Sequence, residues 1–239
     1  MRLYLFVYAR SVASGAPAPG YLIQTDDGIN ILVDTGLSRE TIDAYKQPGY
    51  SGWRVDEQDY VVARLAALGL KPSDITYLVA THLDPDHAGG TNEFSDAEIV
   101  IQREHLAAAR GEAHPRFAMT RANWDAPGLR YKVVDGDTEL VPGVELIAAS
   151  GHVPGLQAVL VRLPKSGPVL LAIDAITTDM AGYTPETRPI GPYDMDEAGV
   201  RASTRKILDL AERAGATLII YGHDAAQWQT LRTAPEFYE

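Results

Sequence analysis

Apolar residues run along this chain in short blocks, and the spacing inside each block predicts a conformation. "MRLYLFVYARSVASGAPAPG" holds one apolar run cut by Arg10 and reads as a first strand followed by a turn. "YLIQTDDGINILVDTG" reads as a hairpin, two apolar runs with the turn "DDG" between them. "DEQDYVVARLAALGL" has helical spacing and stops at Gly69, which predicts a helix ended by glycine. "ITYLVA" and "AEIVIQ" predict strands, and "REHLAAAR" a helix. "LRYKVVDGDTELVPGVELIAAS" predicts a series of strands turning at "DGD" and "PG". "GPVLLAIDA" predicts a further strand, "DEAGVRASTRKILDLAERAG" a long amphipathic helix, and "ATLIIYGHD" a final buried strand. No repeat of fixed period and no low-complexity segment interrupts this order. The least regular stretches are "YKQPGYSGWRVDE" and "HPRFAMTRANWDAPG". Loops of this kind often cover a site. Their aromatic residues Tyr50, Trp53, Phe117 and Trp124 could wall an apolar pocket or form small satellite cores.

Four of the apolar runs share a feature: each is followed closely by a histidine or an aspartate. "TYLVAT" leads to His82, "VELIAASG" to His152, "VLLAI" to Asp174 and "TLIIYG" to His223. Buried strands ending at one sheet edge gather such residues from distant parts of the chain around one crevice. The first run also opens "THLDPDHAGG", with His82, Asp84, Asp86 and His87 inside six residues. Imidazole nitrogen and carboxylate oxygen are the donors that zinc and similar divalent ions take in sets of four or five. The seven candidates are enough for two ions if one carboxylate bridges, and two ions about 3.5–4 Å apart activate water and polarise a substrate oxygen. His105 and His114 stand outside the pattern and read as a helix-surface residue and a loop residue.

Composition narrows the classes. The chain has 239 residues, enough for one large domain or two small ones with a substantial core. Its net charge of -11 argues against nucleic acid and against an anionic membrane surface. There are no cysteines, so any metal must be held by His, Asp, Glu or backbone oxygen. No run approaches the length of a membrane-spanning helix. A first strand is preferred over a secretory leader for the N-terminal run, so a cytoplasmic protein is expected.

On these motifs the chain resembles the metallo-β-lactamase superfamily. "THLDPDHAGG" is similar to its H-x-H-x-D-H motif, "ILVDTG" to its early Asp-x-Gly strand end at Asp34 to Gly36, "SGHVPG" to its third-histidine motif, "AIDA" to its bridging-aspartate motif and "YGHD" to its last-histidine motif. Within the superfamily it looks most like the N-acyl-homoserine-lactone lactonases, through "VVARLAALGL", "IVIQREHLAAARGE", "LRYKVVDGDTELVPGVELI" and "GHDAAQWQTLRTAPEFYE". The resemblance implies one domain over residues 1–239, of α/β (α+β) class: a four-layer αβ/βα sandwich, two packed sheets with helices outside. It implies one metal site from His82, position 84 and His152, a second from Asp86, His87 and His223, Asp174 bridging the two, and Asp34 bonded behind a ligand. The ions expected are two divalent metals, zinc foremost.

Three positions depart from the lactonase pattern. Asp84 stands where histidine is usual, Leu156 replaces a histidine in "GHVPGLQA", and Thr177 takes the place of a substrate-facing tyrosine. Asp84 as an anionic ligand makes the first shell less positive, which brings in iron or manganese beside zinc. The expected reaction is opening of a lactone, such as an N-acyl-homoserine lactone, or of a similar ester by attack of a hydroxide shared between the ions. Asp86 is expected to take part in catalysis, and Thr177 or Tyr183, with Thr178 and Tyr193 as further candidates, to replace the tyrosine hydroxyl. The alternatives are a thioesterase or phosphoesterase on the same metals, a di-iron redox protein, or a member that only binds a ligand. The related lactonases suggest a monomer or a homodimer; a dimer is expected here.

Overall fold

The structure is a computed structural model that describes the chain except residues 48, 50 and 112–114. Twelve strands are described: β1 (Arg2–Ser11), β2 (Pro17–Gln24), β3 (Asn30–Val33), β4 (Trp53–Arg54), β5 (Tyr77–Val79), β6 (Glu98–Gln102), β7 (Arg130–Val134), β8 (Thr138–Val141), β9 (Val144–Ala148), β10 (Gln157–Leu163), β11 (Gly167–Ile173) and β12 (Leu218–Tyr221). They form two sheets, with orders β4-β1-β2-β3-β5-β6-β7 and β12-β11-β10-β9-β8. β3, β5, β6 and β7 run parallel, as do β11 and β12, while the other pairs are antiparallel. The helices are α1 (Arg39–Tyr45), α2 (Val61–Ala66), α3 (Pro85–Ala88), α4 (Arg103–Arg110), α5 (Pro115–Ala118), α6 (Arg121–Trp124) and α7 (Glu197–Ala214).

The period-2 alternation of side chains explains the layers. Leu3 and Leu5, Tyr21 and Ile23, Ile31 and Val33, Val79, Val100, Val159 and Val161, and Val169 and Leu171 share one core between the sheets. Their sequence neighbours Tyr4, Phe6, Leu22, Leu32, Leu78, Ile99, Ile101, Leu160 and Leu170 point the other way, into a core shared with Ile42, Leu65, Leu106 and Ile207 of the helices. Strands buried on both faces need near-continuous apolar runs, as the sequence has. This is the four-layer αβ/βα arrangement expected of the fold.

Most elements lie where the pattern put them. α4 matches "REHLAAAR", and α7 runs from an Asp196 N-cap to Gly215 in left-handed conformation. Three differ. The helix expected from Asp56 to Gly69 is divided: a short turn at Glu57–Asp59, then extended Tyr60 (φ -62, ψ 140), then α2. β10 was not anticipated as a strand. β12 is a sheet edge in which only Ile220 is fully buried, because no strand covers its outer side. The N-terminal apolar run is β1, whose Leu3 and Leu5 are inaccessible.

Candidate metal centre

Both sheets aim strand ends at one place. β5 leads through Thr81 to His82 and into α3, whose first turn carries Asp86 and whose last carries His87. β9 leads to the loop with His152, β11 ends at Asp174, and β12 leads to His223. Two positions show how tightly the backbone is drawn in. Ile173 has φ +51, a region a β-branched residue rarely adopts, and the following Asp174 is turned toward the histidines. A Cβ at Gly222 would lie 2.6 Å from the Ile173 carbonyl oxygen and 2.8 Å from Asp174 Oδ1, so only glycine lets the strand end bearing His223 come so close to Asp174.

The structure brings all seven predicted residues together. His82, His152 and Asp174 form one donor group, and Asp86, His87 and His223 another, the donor atoms of each group lying within 4.8 Å of one another. Asp174 faces both: Oδ2 is 4.0 Å from His82 Nε2, 3.3 Å from His152 Nε2 and 3.1 Å from His223 Nε2, and Oδ1 is 3.5 Å from His87 Nε2. Asp84 Oδ2 is 3.3 Å from both His82 Nε2 and His152 Nε2. Asp86 Oδ2 is 3.8 Å from His87 Nε2 and 3.9 Å from His223 Nε2. Donors about 2.0–2.1 Å from a tetrahedral ion stand about 3.3 Å apart, so these spacings are those of ligand sets slightly relaxed.

A ring of outer bonds fixes each imidazole. His87 Nδ1 donates to Asp34 Oδ2 at 2.8 Å, His152 Nδ1 to Asp194 Oδ1 at 2.8 Å, and His223 Nδ1 to the Pro17 carbonyl at 2.7 Å. Thr81 Oγ1 donates to Asp34 Oδ2 at 2.7 Å and therefore accepts from His82 Nδ1 at 3.0 Å. With every Nδ1 bonded outward, every Nε2 faces inward, where a bound cation takes the place of a proton. His82 Nε2, His87 Nε2 and Asp174 Oδ1 are buried without a hydrogen-bond partner. Unpartnered buried acceptors converging on one point are what a cation satisfies, so the donors fit divalent metal.

Electrostatics agrees. Burial works against charging His87, yet Asp174, Asp86 and Asp34 outweigh it and lift the ring to about 10. Asp194, Asp84 and Asp174 likewise lift His152 to about 9 against burial. Burial, then the neighbouring His87, push His82 down to about 3. Burial opposes ionisation of Asp84 and Asp174, but the imidazoles, and Arg116 beside Asp84, hold both well below the usual carboxylate range. The cage is an anionic hollow that draws positive charge.

Several residues of this neighbourhood were not foreseen. His105 is not on the helix surface: it is fully buried, accepting the Leu83 N–H on Nε2 at 2.8 Å and donating from Nδ1 to the Pro154 carbonyl at 2.7 Å. It ties the loop of His82 to the loop of His152. Asp194 and Arg116 also touch the site. Arg116 pairs with Asp84 through Nε and Nη2, and Nη2 also donates to His152 Nε2 at 2.8 Å. A signal was present for Arg116: it sits in an irregular stretch, and an unexpected acid at position 84 calls for a compensating cation. Phe117 and Trp124 are buried, with Trp124 Nε1 donating to the Phe117 carbonyl and Phe117 edge-on to His105, so they belong to the helix-side core rather than to a pocket wall. Trp53 packs against the helix-side core. Leu156 is buried in that core too. Tyr50 and His114 lie outside the described residues. Thr177 is half-buried, and its carbonyl accepts the His223 N–H at 2.8 Å, while Tyr183 and Tyr193 are exposed on the segment between β11 and α7.

Two sheets in a four-layer sandwich, with His and Asp donors gathered at their strand ends, define a metallohydrolase class, and the chain belongs to the metallo-beta-lactamase superfamily, matched over residues 16–223. It is 34% identical over 230 residues to an N-acyl homoserine lactonase from Bacillus sp., covering 91% of this chain and 85% of that one. To the N-acyl homoserine lactonase AttM of Azorhizobium caulinodans it is 32% identical over 237 residues, covering 93% and 88%. A solved N-acyl homoserine lactone hydrolase, with N-hexanoyl-L-homoserine bound at its catalytic metal centre, has a TM-score of 0.84 at 28% identity, over 99% of this chain and 98% of that one.

Proposed function

We propose that the protein is a metal-dependent hydrolase that opens lactones, N-acyl-homoserine lactones foremost. One observation carries it: Asp174 stands between two His/Asp donor groups whose inward atoms lack partners. The similarity to lactonases across nine-tenths of the chain supports the substrate class and gives no support to the thioester, phosphoester or redox alternatives. When bound, two divalent ions would supply Lewis acidity and a water acidic enough to attack at neutral pH.

The chain's own residues then divide the work. His82, Asp84 and His152 would hold one ion, Asp86, His87 and His223 the other, and Asp174 would serve both. Asp86, with 19% of its side chain accessible, is the most open carboxylate of the cage and takes the role of passing a proton to the leaving alcohol. Thr177, half-buried and joined to His223 through its carbonyl, takes the role of donor to the substrate carbonyl. Tyr183, 48% exposed, would close on the substrate from the same segment. Losing one such donor costs about 10²–10³ in rate. Zinc is the ion proposed, with iron or manganese admitted by Asp84. The reading takes residues 1–239 as one domain, a homodimer as the assembly and the cytoplasm as the location; among the described residues no helix is long and apolar enough to cross a membrane.

Proton release on a panel of N-acyl-homoserine lactones and simple γ- and δ-lactones tests this, with stripped protein reloaded with zinc, manganese, cobalt or iron. Turnover abolished by chelator is the expected result. Protein that holds metal and opens no lactone would refute the reading.

A further inference from the structure

The two donor groups differ in what already occupies them. Each group keeps one imidazole nitrogen without a hydrogen-bond partner, His82 Nε2 in the first and His87 Nε2 in the second, but among the described residues no guanidinium bonds to Asp86, His87 or His223. In the first, Arg116 has entered. Its Nη2 bonds Asp84 Oδ2 and lies 2.8 Å from His152 Nε2. His152 Nδ1 faces Asp194 and a guanidinium nitrogen can only donate, so Nε2 is the acceptor of that contact and the N–H of Arg116 takes the lone pair a metal would need. Nη1 of the same guanidinium donates to the Tyr193 carbonyl, which anchors it from the loop side. The pair is sheltered, with 13% of the Arg116 side chain and 9% of the Asp84 side chain accessible. A guanidinium does not lose its proton, so it cannot make room by becoming neutral. It must move.

We infer that Arg116 is a resident cation of the His82/Asp84/His152 subsite and competes with the metal there, so that the two subsites load unequally. The inference rests on the metallohydrolase reading above and deepens it. The charges fit: a divalent ion in the second subsite and one guanidinium in the first carry three positive charges against the three carboxylates Asp84, Asp86 and Asp174. Asp84 is central, because a histidine at that position would offer the guanidinium no bidentate partner. The acid at position 84 and the arginine at position 116 thus act together as a gate on the first subsite. A second ion enters when Arg116 withdraws from His152, and the Asp84 carboxylate is then released to the ion.

Calorimetric titration of the chelator-stripped full chain with Zn2+, and separately with Co2+ followed by its visible absorption, tests this. Two steps are expected, the second weaker by at least about tenfold. Arg116→Gln should tighten the second step by roughly 10–100-fold, the range over which outer partners tune metal affinity. His223→Ala should remove the tighter step and leave the weaker one. Two ions bound with equal affinity by the wild type, a weaker step unmoved by Arg116→Gln in folded protein, or loss of the weaker step in His223→Ala would each overturn the inference. If Arg116→Gln does not fold, the wild-type isotherm and His223→Ala still decide. Lactone turnover is scored apart: unequal loading without turnover sinks only the hydrolase reading, and equal loading with turnover sinks only this one.

Discussion

His87 Nδ1 and Asp34 Oδ2 are 2.8 Å apart with neither side chain accessible to solvent. Asp34 itself has φ +60 and is clasped by the Thr81 backbone N–H and hydroxyl. One carboxylate therefore orients the His87 ring directly and the His82 ring through Thr81. Asp34→Asn keeps the shape but loses the anionic acceptor. Zinc affinity, read by competition with a chelating dye, should fall roughly 10–100-fold. Unchanged affinity would show that the imidazoles hold their orientation without Asp34.

Asp174 is shared by both donor groups, so its loss should be felt by both. Asp174→Asn should reduce lactone opening by more than about 100-fold, beyond the usual effect of outer partners. Metal analysis of the dialysed variant should also find less ion retained. Activity loss with full metal retention would mean that Asp174 acts on the substrate rather than on the ions.

The strand-end donors were legible because each closely follows an apolar run, and a strand packed in a sheet leaves its terminal polar residues at the sheet's edge. His105 was not legible. Its helix reads as amphipathic, and what buries its ring is the loop carrying Pro154, 49 residues away. Arg116 was hidden for the same reason, since its partner Asp84 lies 32 residues back and is joined to it only by tertiary packing. Asp194, in a stretch without regular periodicity, meets His152 across 42 residues. Side chains that position ligands are placed by loops converging from separate strands, and local periodicity carries no information about that convergence.

His105 gives a pH dependence with a definite sign. Burial pushes its folded pKa down to about 4, from an ordinary value near 6.5 in the unfolded chain. Between those values the unfolded chain binds more protons, so stability rises with pH there. The contribution is whole above about pH 6.5 and is lost as pH falls toward 4, on the order of 3 kcal/mol in all. Urea unfolding of the stripped wild type and of His105→Gln across this window should differ in slope, the variant being flatter. Parallel slopes would place the acid sensitivity elsewhere.

Gly222→Ala tests how closely the ends of the neighbouring strands β11 and β12 must approach. The added methyl would stand 2.6 Å from the Ile173 carbonyl oxygen, which is backbone, and 2.8 Å from Asp174 Oδ1. Neither can yield freely, because Ile173 already sits at φ +51 and Asp174 is held among His82, His87, His152 and His223. Overpacking of this kind costs about 1–3 kcal/mol. For a chain of this size that lowers the melting temperature by about 2–4 °C for each kcal/mol. The displaced carboxylate should weaken metal binding as well, so the variant melts earlier and loses the stabilisation that added zinc gives the wild type. A variant that melts earlier but still gains the full zinc increment would show that Asp174 tolerates the shift, and that the glycine serves the fold alone.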